Sequence, residues 1–199
     1  MICVLTARAF NRIYSLKLTR EGEMDLAYKG EILTPSRCGR MDQACAFDKP
    51  VLMSFDGDYM KPEELKVGGN IYLCIVDLNR RKDTLKILND LNQHFFNPIS
   101  QDEVRTYLGR TNKEIVFSAR DALEKGDAQE LGRIMNYSQE QFDAHLMKYC
   151  DELKAPRLHE ILHYQNIQDF IYGGKGVGSQ GDGCAQFVCK SQEERREVI

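Results

Sequence analysis

Apolar residues recur along this chain in two rhythms, one of helices and one of strands. Ile2, Leu5, Ala9, Ile13 and Leu16 fall at helical spacing with arginines elsewhere, which predicts an amphipathic helix over residues 2–16. That helix starts without an N-cap, because Ile2 already lies in the apolar face. Thr19 is placed to cap a second helix reaching about Leu33, with Pro35 just beyond its end. Pro50–Phe55 and Ile71–Val76 read as strands, and the second is apolar enough to be expected at the centre of a sheet. Asp56-Gly57-Asp58 and Gly68-Gly69-Asn70 read as turns.

After Asp77 the pattern changes. Helical periodicity runs through 83–96, 101–108, 113–124, 127–147 and 156–165, with Gly126-Asp127 as a break. Phe170-Ile171-Tyr172 and the alternating Ala185-Gln186-Phe187-Val188-Cys189 then predict two short strands, and a polar tail follows over Gln192–Glu197. The expected fold class is α+β in two parts: a mixed part over residues 1–78 and a mostly helical part over 79–199, closed by a hairpin-like element.

Composition narrows the function classes. With 42% hydrophobic and 29% charged residues the chain is globular, and no apolar run nears the roughly 18 residues of a membrane span. The short apolar start has no basic segment before it and runs into Arg8 and Arg12, unlike a secretory signal. A formal net charge of -3 argues against a nucleic-acid partner. The seven cysteines are scattered with no CxxC pair, which fits the reduced thiols of a cytoplasmic protein. The expected partner is therefore a small molecule, with no nucleic acid and no membrane.

Three stretches carry candidate chemistry. In Ser36-Arg37-Cys38-Gly39-Arg40-Met41-Asp42-Gln43, an aspartate near a helix start is favoured in its ionised form and can accept a proton, while an arginine can orient an anion. The plain alternative is a turn with a capping aspartate. The second stretch places glycines at 173, 174, 176, 178, 181 and 183, between the two short strands. Backbone amides with so little side-chain cover form an anion-binding concavity. The run matches neither the P-loop nor, in context, the dinucleotide fingerprint: Gly176-Val177-Gly178-Ser179-Gln180-Gly181 spells GxGxxG, but no long helix follows. The third is His159-Glu160-Ile161-Leu162-His163, an HExxH on a predicted helix. A zinc site there would need a third ligand from Glu193 or Glu194, and the reading preferred is a surface helix.

Taken together, the first two stretches resemble the GHMP kinase family, the galacto-, homoserine, mevalonate and phosphomevalonate kinases. Gly174–Ala185 resembles the family's third motif, and Gly39, Met41, Asp42 and Gln43 match its Gly-x-Met-Asp-Gln segment. The helical stretch from Asp121 to Asn136 is similar to the family's C-terminal domain. The resemblance implies a fold: a remnant of a ribosomal-protein-S5-domain-2-like N-terminal domain followed by a ferredoxin-like α+β domain. It implies ATP and Mg2+ as cofactors and transfer of phosphate to a hydroxyl of a sugar or sugar acid. Asp42 inherits the role of base. Glu31, about three helical turns earlier, inherits that of a magnesium ligand. Gly176, Gly178, Ser179, Gly181 and Gly183 would approach the phosphates, and Arg37, Gly39 and Arg40 the substrate. Asp77, Asn79, Lys82 and Asp83 lie after the strand over Ile71–Val76, where substrate contacts could arise; Lys82 and Asp83 read equally as a solvated helix start, and the solvated reading is preferred for each.

The same resemblance implies departures. The family's main phosphate loop, Pro-x-x-x-Gly-Leu-Ser-Ser-Ser-Ala, is expected immediately before the first helix and is not among these 199 residues. The chain alone is then expected to be inactive, with an apolar face left open to association. Asp182 stands where a glycine is usual, its charge offset by Lys175 or magnesium, or pointing outward. A different class stays open beside the kinase: a catalytically silent module that binds a sugar or nucleotide.

Overall fold

A computed structural model describes residues 2–34, 39–57 and 59–198. Contacts within the chain divide it at Lys66/Val67 into two units, earlier than the boundary expected at 78/79. The reason is that the strand over Tyr72–Asp77 pairs with the strand that follows the glycine run, far along the sequence.

In the first unit, helix α1 (Ile2–Ile13) packs on helix α2 (Arg20–Ile32). Thr19 caps α2, its Oγ1 accepting from the Gly22 amide at 3.2 Å. Val4, Met24 and Ala27 bury against Ala46 and Phe47 of a short 3-10 turn, Asp42–Phe47. Strands β1 (Val51–Asp56) and β2 (Tyr59–Glu64) form an antiparallel hairpin. The second of these was not expected, because Pro62 interrupts its pattern. Both strands of a two-strand ribbon are edges, where proline is tolerated.

A partly buried ion pair pins the 3-10 turn to the helices. Arg8 Nε donates to Glu23 Oε2 at 2.9 Å, and its other nitrogens reach Ala46 O and Asp48 Oδ2. Asn11 Nδ2 donates to the second Glu23 oxygen at 2.8 Å, and Arg20 Nη1 to Phe47 O at 2.8 Å. Burial opposes the Glu23 charge, but the bonds from Asn11 and Arg8 outweigh it and hold its carboxyl below the ordinary value.

The second unit is built on an antiparallel sheet of β3 (Tyr72–Asp77), β4 (Ile171–Gly176) and β5 (Cys184–Cys189), in the order β3-β5-β4. The strand expected at the centre, β3, lies at the edge, where Leu73 and Ile75 remain exposed. The centre belongs to β5, whose Ala185, Phe187, Val188 and Cys189 are all at 0% exposure. Helices α3 (Thr84–Phe96), α4 (Gln101–Thr106), α5 (Asn112–Lys125) and α6 (Ala128–Leu146) follow β3. One π turn, Tyr107–Thr111, joins α4 to α5. Helices α7 (Pro156–Leu162) and α8 (Gln165–Gln168) lead back to β4, with Leu158 and Ile167 packing on the Phe187 side of the sheet. The expected polar tail is helix α9 (Gln192–Glu197), capped by Ser191 Oγ accepting from Glu194 N at 3.1 Å.

Helix α6 meets β4 at backbone contact. A Cβ on Gly132 would lie 2.5 Å from Tyr172 Cβ, and one on Gly173 only 2.1 Å from Gly132 O. At that distance two side-chain amides of α6 reach the strand: Asn136 Oδ1 accepts from Gly174 N at 2.8 Å, and Gln139 Oε1 from Gly176 N at 2.9 Å. These bonds satisfy strand amides that would otherwise be buried without partners.

Candidate functional site

The residues singled out by the sequence fall in both units, and each unit holds a distinct piece of chemistry. In the first, Asp42 opens the 3-10 turn with its side chain exposed. The next residue, Gln43, is fully buried and donates from Nε2 to Glu31 Oε2 at 2.6 Å. The turn and the end of α2 are thereby joined, and Glu31 and Asp42 belong to one braced patch. Arg40, expected to meet substrate, bonds Asp25 of α2 and stacks its guanidinium 4.9 Å from the centre of the Tyr28 ring. These contacts within the unit hold it in place. Gly39 is exposed with open space where a Cβ would sit. Arg37 lies outside the described residues.

Glu31 is the carboxylate that the resemblance assigns to magnesium. Mg2+ often takes one or two protein carboxylates and completes its shell with water and substrate phosphates. Among the described residues no group of three His, Cys, Asp or Glu is placed to hold a metal ion.

The second unit holds the glycine loop between β4 and β5. It turns back through positive φ at Gly178 (61°), Gln180 (66°) and Gly181 (72°). The Gln180 amide closes the turn on Val177 O at 3.2 Å, and Val177 N bonds Cys184 O at 3.0 Å. Among the described residues, the amides of Gly178, Ser179, Gly181, Asp182 and Gly183 are spent on no acceptor. Ser179 Oγ is likewise shielded and without a partner, and Gln180 is only 4% exposed. A run of unspent N–H groups beside a shielded hydroxyl suits a phosphate, so the residues present fit the nucleotide that the resemblance implies.

The glycines divide by task. Gly173 and Gly174 have no room for a side chain because of Gly132 and the Phe187 ring, and Gly176 because of Gln180 and Leu158. The Gly176 amide is bound to Gln139. The side chain missing at Gly176, expected at the phosphate, leaves room for Gln180 and Leu158, whereas Gly178 has open space around it. The Asp182 charge is placed inward: its Oδ1 accepts from Leu158 N at 2.9 Å, capping α7 where Ala155 offers no side-chain acceptor. Lys175 Nζ donates to Gly176 O at 2.9 Å, and burial pushes its pKa below the ordinary value.

The two histidines of the HExxH stretch turn to different partners. His159 Nε2 lies 2.9 Å from Asp143 Oδ2 and Nδ1 2.9 Å from Ala155 O, while His163 Nδ1 bonds His159 O at 2.8 Å. Glu160 pairs with Arg157. Sequence reasoning missed Gln139 and Asp143, which extend this network to the glycine strand. Their signal was available only as polar residues on the buried face of α6.

No family model and no curated protein matches the sequence. Solved structures do. The mevalonate kinase of L. major, crystallised with R-mevalonate, superposes with a TM-score of 0.74 at 24% identity over 98% of this chain and 57% of its own. The phosphomevalonate kinase of Streptococcus pneumoniae, in complex with phosphomevalonate and AMPPNP, gives 0.74 at 16% identity over 98% and 61%. The galactokinase of Lactococcus lactis, complexed with galactose, gives 0.64 at 15% identity over 98% and 58%. The fold is that of the GHMP kinases. It is an α+β fold matching their C-terminal part, and the chain spans 57–61% of the length of these three GHMP kinases.

Proposed function

We propose that this chain is part of a GHMP-type kinase that moves phosphate from ATP to a hydroxyl of a small molecule, a sugar or sugar acid. The observation that carries the reading is the glycine loop with its unspent amides, set on a GHMP kinase fold. ATP, when bound, supplies the phosphoryl group, and magnesium the charge that eases its transfer. The chain's own residues do the rest. Asp42 accepts the proton of the acceptor hydroxyl from an exposed position at a braced turn. Glu31, steadied by Gln43, offers the carboxylate for magnesium. The amides of Gly178, Ser179, Gly181 and Gly183 and the Ser179 hydroxyl hold the phosphate in place.

A second reading is supported by a specific observation: Arg40, like Gly176, is taken up by contacts within the chain. It is a silent module that binds a sugar or nucleotide without turning it over.

The test is phosphate transfer by the protein isolated from its own cells at its native length, with γ-labelled ATP and a panel of sugars, sugar acids and mevalonate. Transfer that falls about a hundredfold or more in Asp42→Asn, with ligand binding kept, supports the kinase reading. Binding without any transfer supports the silent module. Residues 1–199 on their own are expected to turn over no ATP, because the Gly-Leu-Ser-Ser-Ser loop is not among them.

A further inference from the structure

The mouth of the glycine loop carries a cation for which the helix pattern gives no role. Lys82 precedes α3, and its stem lies across the loop. A Cβ on Gly183 would sit 2.9 Å from Lys82 Cδ, and one on Gly181 3.4 Å from Lys82 Cβ. Lys82 Nζ donates to Val177 O at 3.2 Å. No carboxylate pairs with it among the described residues, because the acidic side chains of this region are engaged by amides. Asp182 takes Leu158 N, Asp83 takes Lys86 N, Asp77 takes Asn79 N, and Glu152 faces Asp83 N at 3.4 Å. A half-buried ammonium held by one neutral carbonyl is a costly arrangement unless an anion completes it. Burial lowers its pKa, and Cys184 is the ionisable neighbour that acts on it.

We propose that Lys82 is a ligand-contacting residue of the glycine loop, supplying the positive charge for a phosphate chain held by the amides of Gly178, Ser179, Gly181, Asp182 and Gly183. This rests on the kinase reading, which puts phosphate at that loop. The loop offers dipoles only, so a full charge at Lys82 makes the site prefer a polyphosphate to a neutral sugar. The stem crowds Gly183, where a Cβ would push the lysine chain aside, whereas Gly181 is held to glycine by its positive φ.

The test is calorimetric titration of the full chain with inorganic tripolyphosphate. Lys82→Met keeps an unbranched stem on the glycines and removes the charge, whereas Lys82→Arg restores it. Binding is expected to weaken about tenfold to a hundredfold in Lys82→Met, as for loss of a charged hydrogen bond, and to return to within a few-fold in Lys82→Arg. Wild-type affinity is expected to fall as pH rises through the lowered ammonium range, a dependence that Lys82→Met loses. Unchanged affinity in Lys82→Met with a wild-type melting temperature overturns the role of Lys82 and leaves the kinase reading standing. A wild type that binds no tripolyphosphate overturns the proposal at the level of the loop. The kinase reading falls separately, if the native-length protein binds ligand but transfers no phosphate.

Discussion

Asp182 shows how one carboxylate is diverted from ligand chemistry to helix chemistry. Helix α7 begins after Ala155, which adopts φ 36° and has no side chain able to cap. The amide of Leu158 would be left unpaired under the glycine loop, and Asp182 reaches across from the loop to accept from it. Asp182→Ala is expected to cost about 1 kcal/mol, as for loss of an N-cap, and Asp182→Asn a smaller part of that, read by chemical denaturation. From sequence the Asp182 charge is read as offset by Lys175 or magnesium or as pointing outward, because nothing local says that Leu158, far away in the chain, needs an acceptor. Asp42 differs: its motif was legible, since Gly39, Met41, Asp42 and Gln43 fall within five consecutive residues. What Gln43 does was not, because the Glu31–Gln43 bond depends on how α2 and the turn pack. The Arg40 contact with Asp25 and Tyr28 is hidden for the same reason.

At the scale of elements, α6, α7 and β4 are tied by one hydrogen-bonded relay. Gly176 N donates to Gln139, Gln139 Nε2 to Asp143 Oδ1 at 2.9 Å, and His159 Nε2 to the other Asp143 oxygen. His159 Nδ1 faces Ala155 O, an acceptor only, so both ring nitrogens are asked to donate and the charged imidazolium is favoured. Burial works against that charge, but the bonds to Asp143 and Ala155 outweigh it and hold the pKa above 6.5. A raised folded-state pKa gives a stabilising contribution that is complete below about pH 6.5 and is lost as pH rises through the folded value. Unfolding free energy measured from pH 5.5 to about 8.5 is expected to show this decline, and His159→Gln to flatten it. A decline of the same size in His159→Gln would assign it elsewhere. Helix positions were largely legible, since Thr19, Gly126 and the apolar periodicity are local signals. The order of the sheet was not: β3 is as apolar as a central strand, and only its pairing with β5 on one side makes it an edge.

For the whole molecule, the outward faces of the elements matter as much as the cores. Ile2, Leu5 and Ile13 of α1 are 79%, 56% and 73% exposed, beside a groove of about 340 Å³ lined by Cys3, Phe10, Leu16 and Leu26. Apolar surface of this kind promotes association. The 199-residue chain is expected to scatter light as more than one copy, and Leu5→Glu with Ile13→Glu to return it to a single copy. A wild type that stays a single copy at high concentration counts against this. Among the described residues no helix is long and apolar enough to cross a membrane.

The contact of α6 with β4 has a consequence for how such chains can be found. The sequence matches no family model, and its identity to the three GHMP kinases named above is 24% or less. Yet Gly132, Asn136 and Gln139 each meet a different atom of β4 at offsets fixed by one helical face; Gly173 answers Gly132, while Gly174 is kept small by the Phe187 ring and Gly176 by Gln180 and Leu158. None can change alone without a clash or an unpaired amide. A spacing of Gly-x-x-x-Asn-x-x-Gln, followed by Gly-Gly-x-Gly, is therefore a fingerprint with a steric cause. Distant relatives could be recognised by it after their overall similarity has worn away.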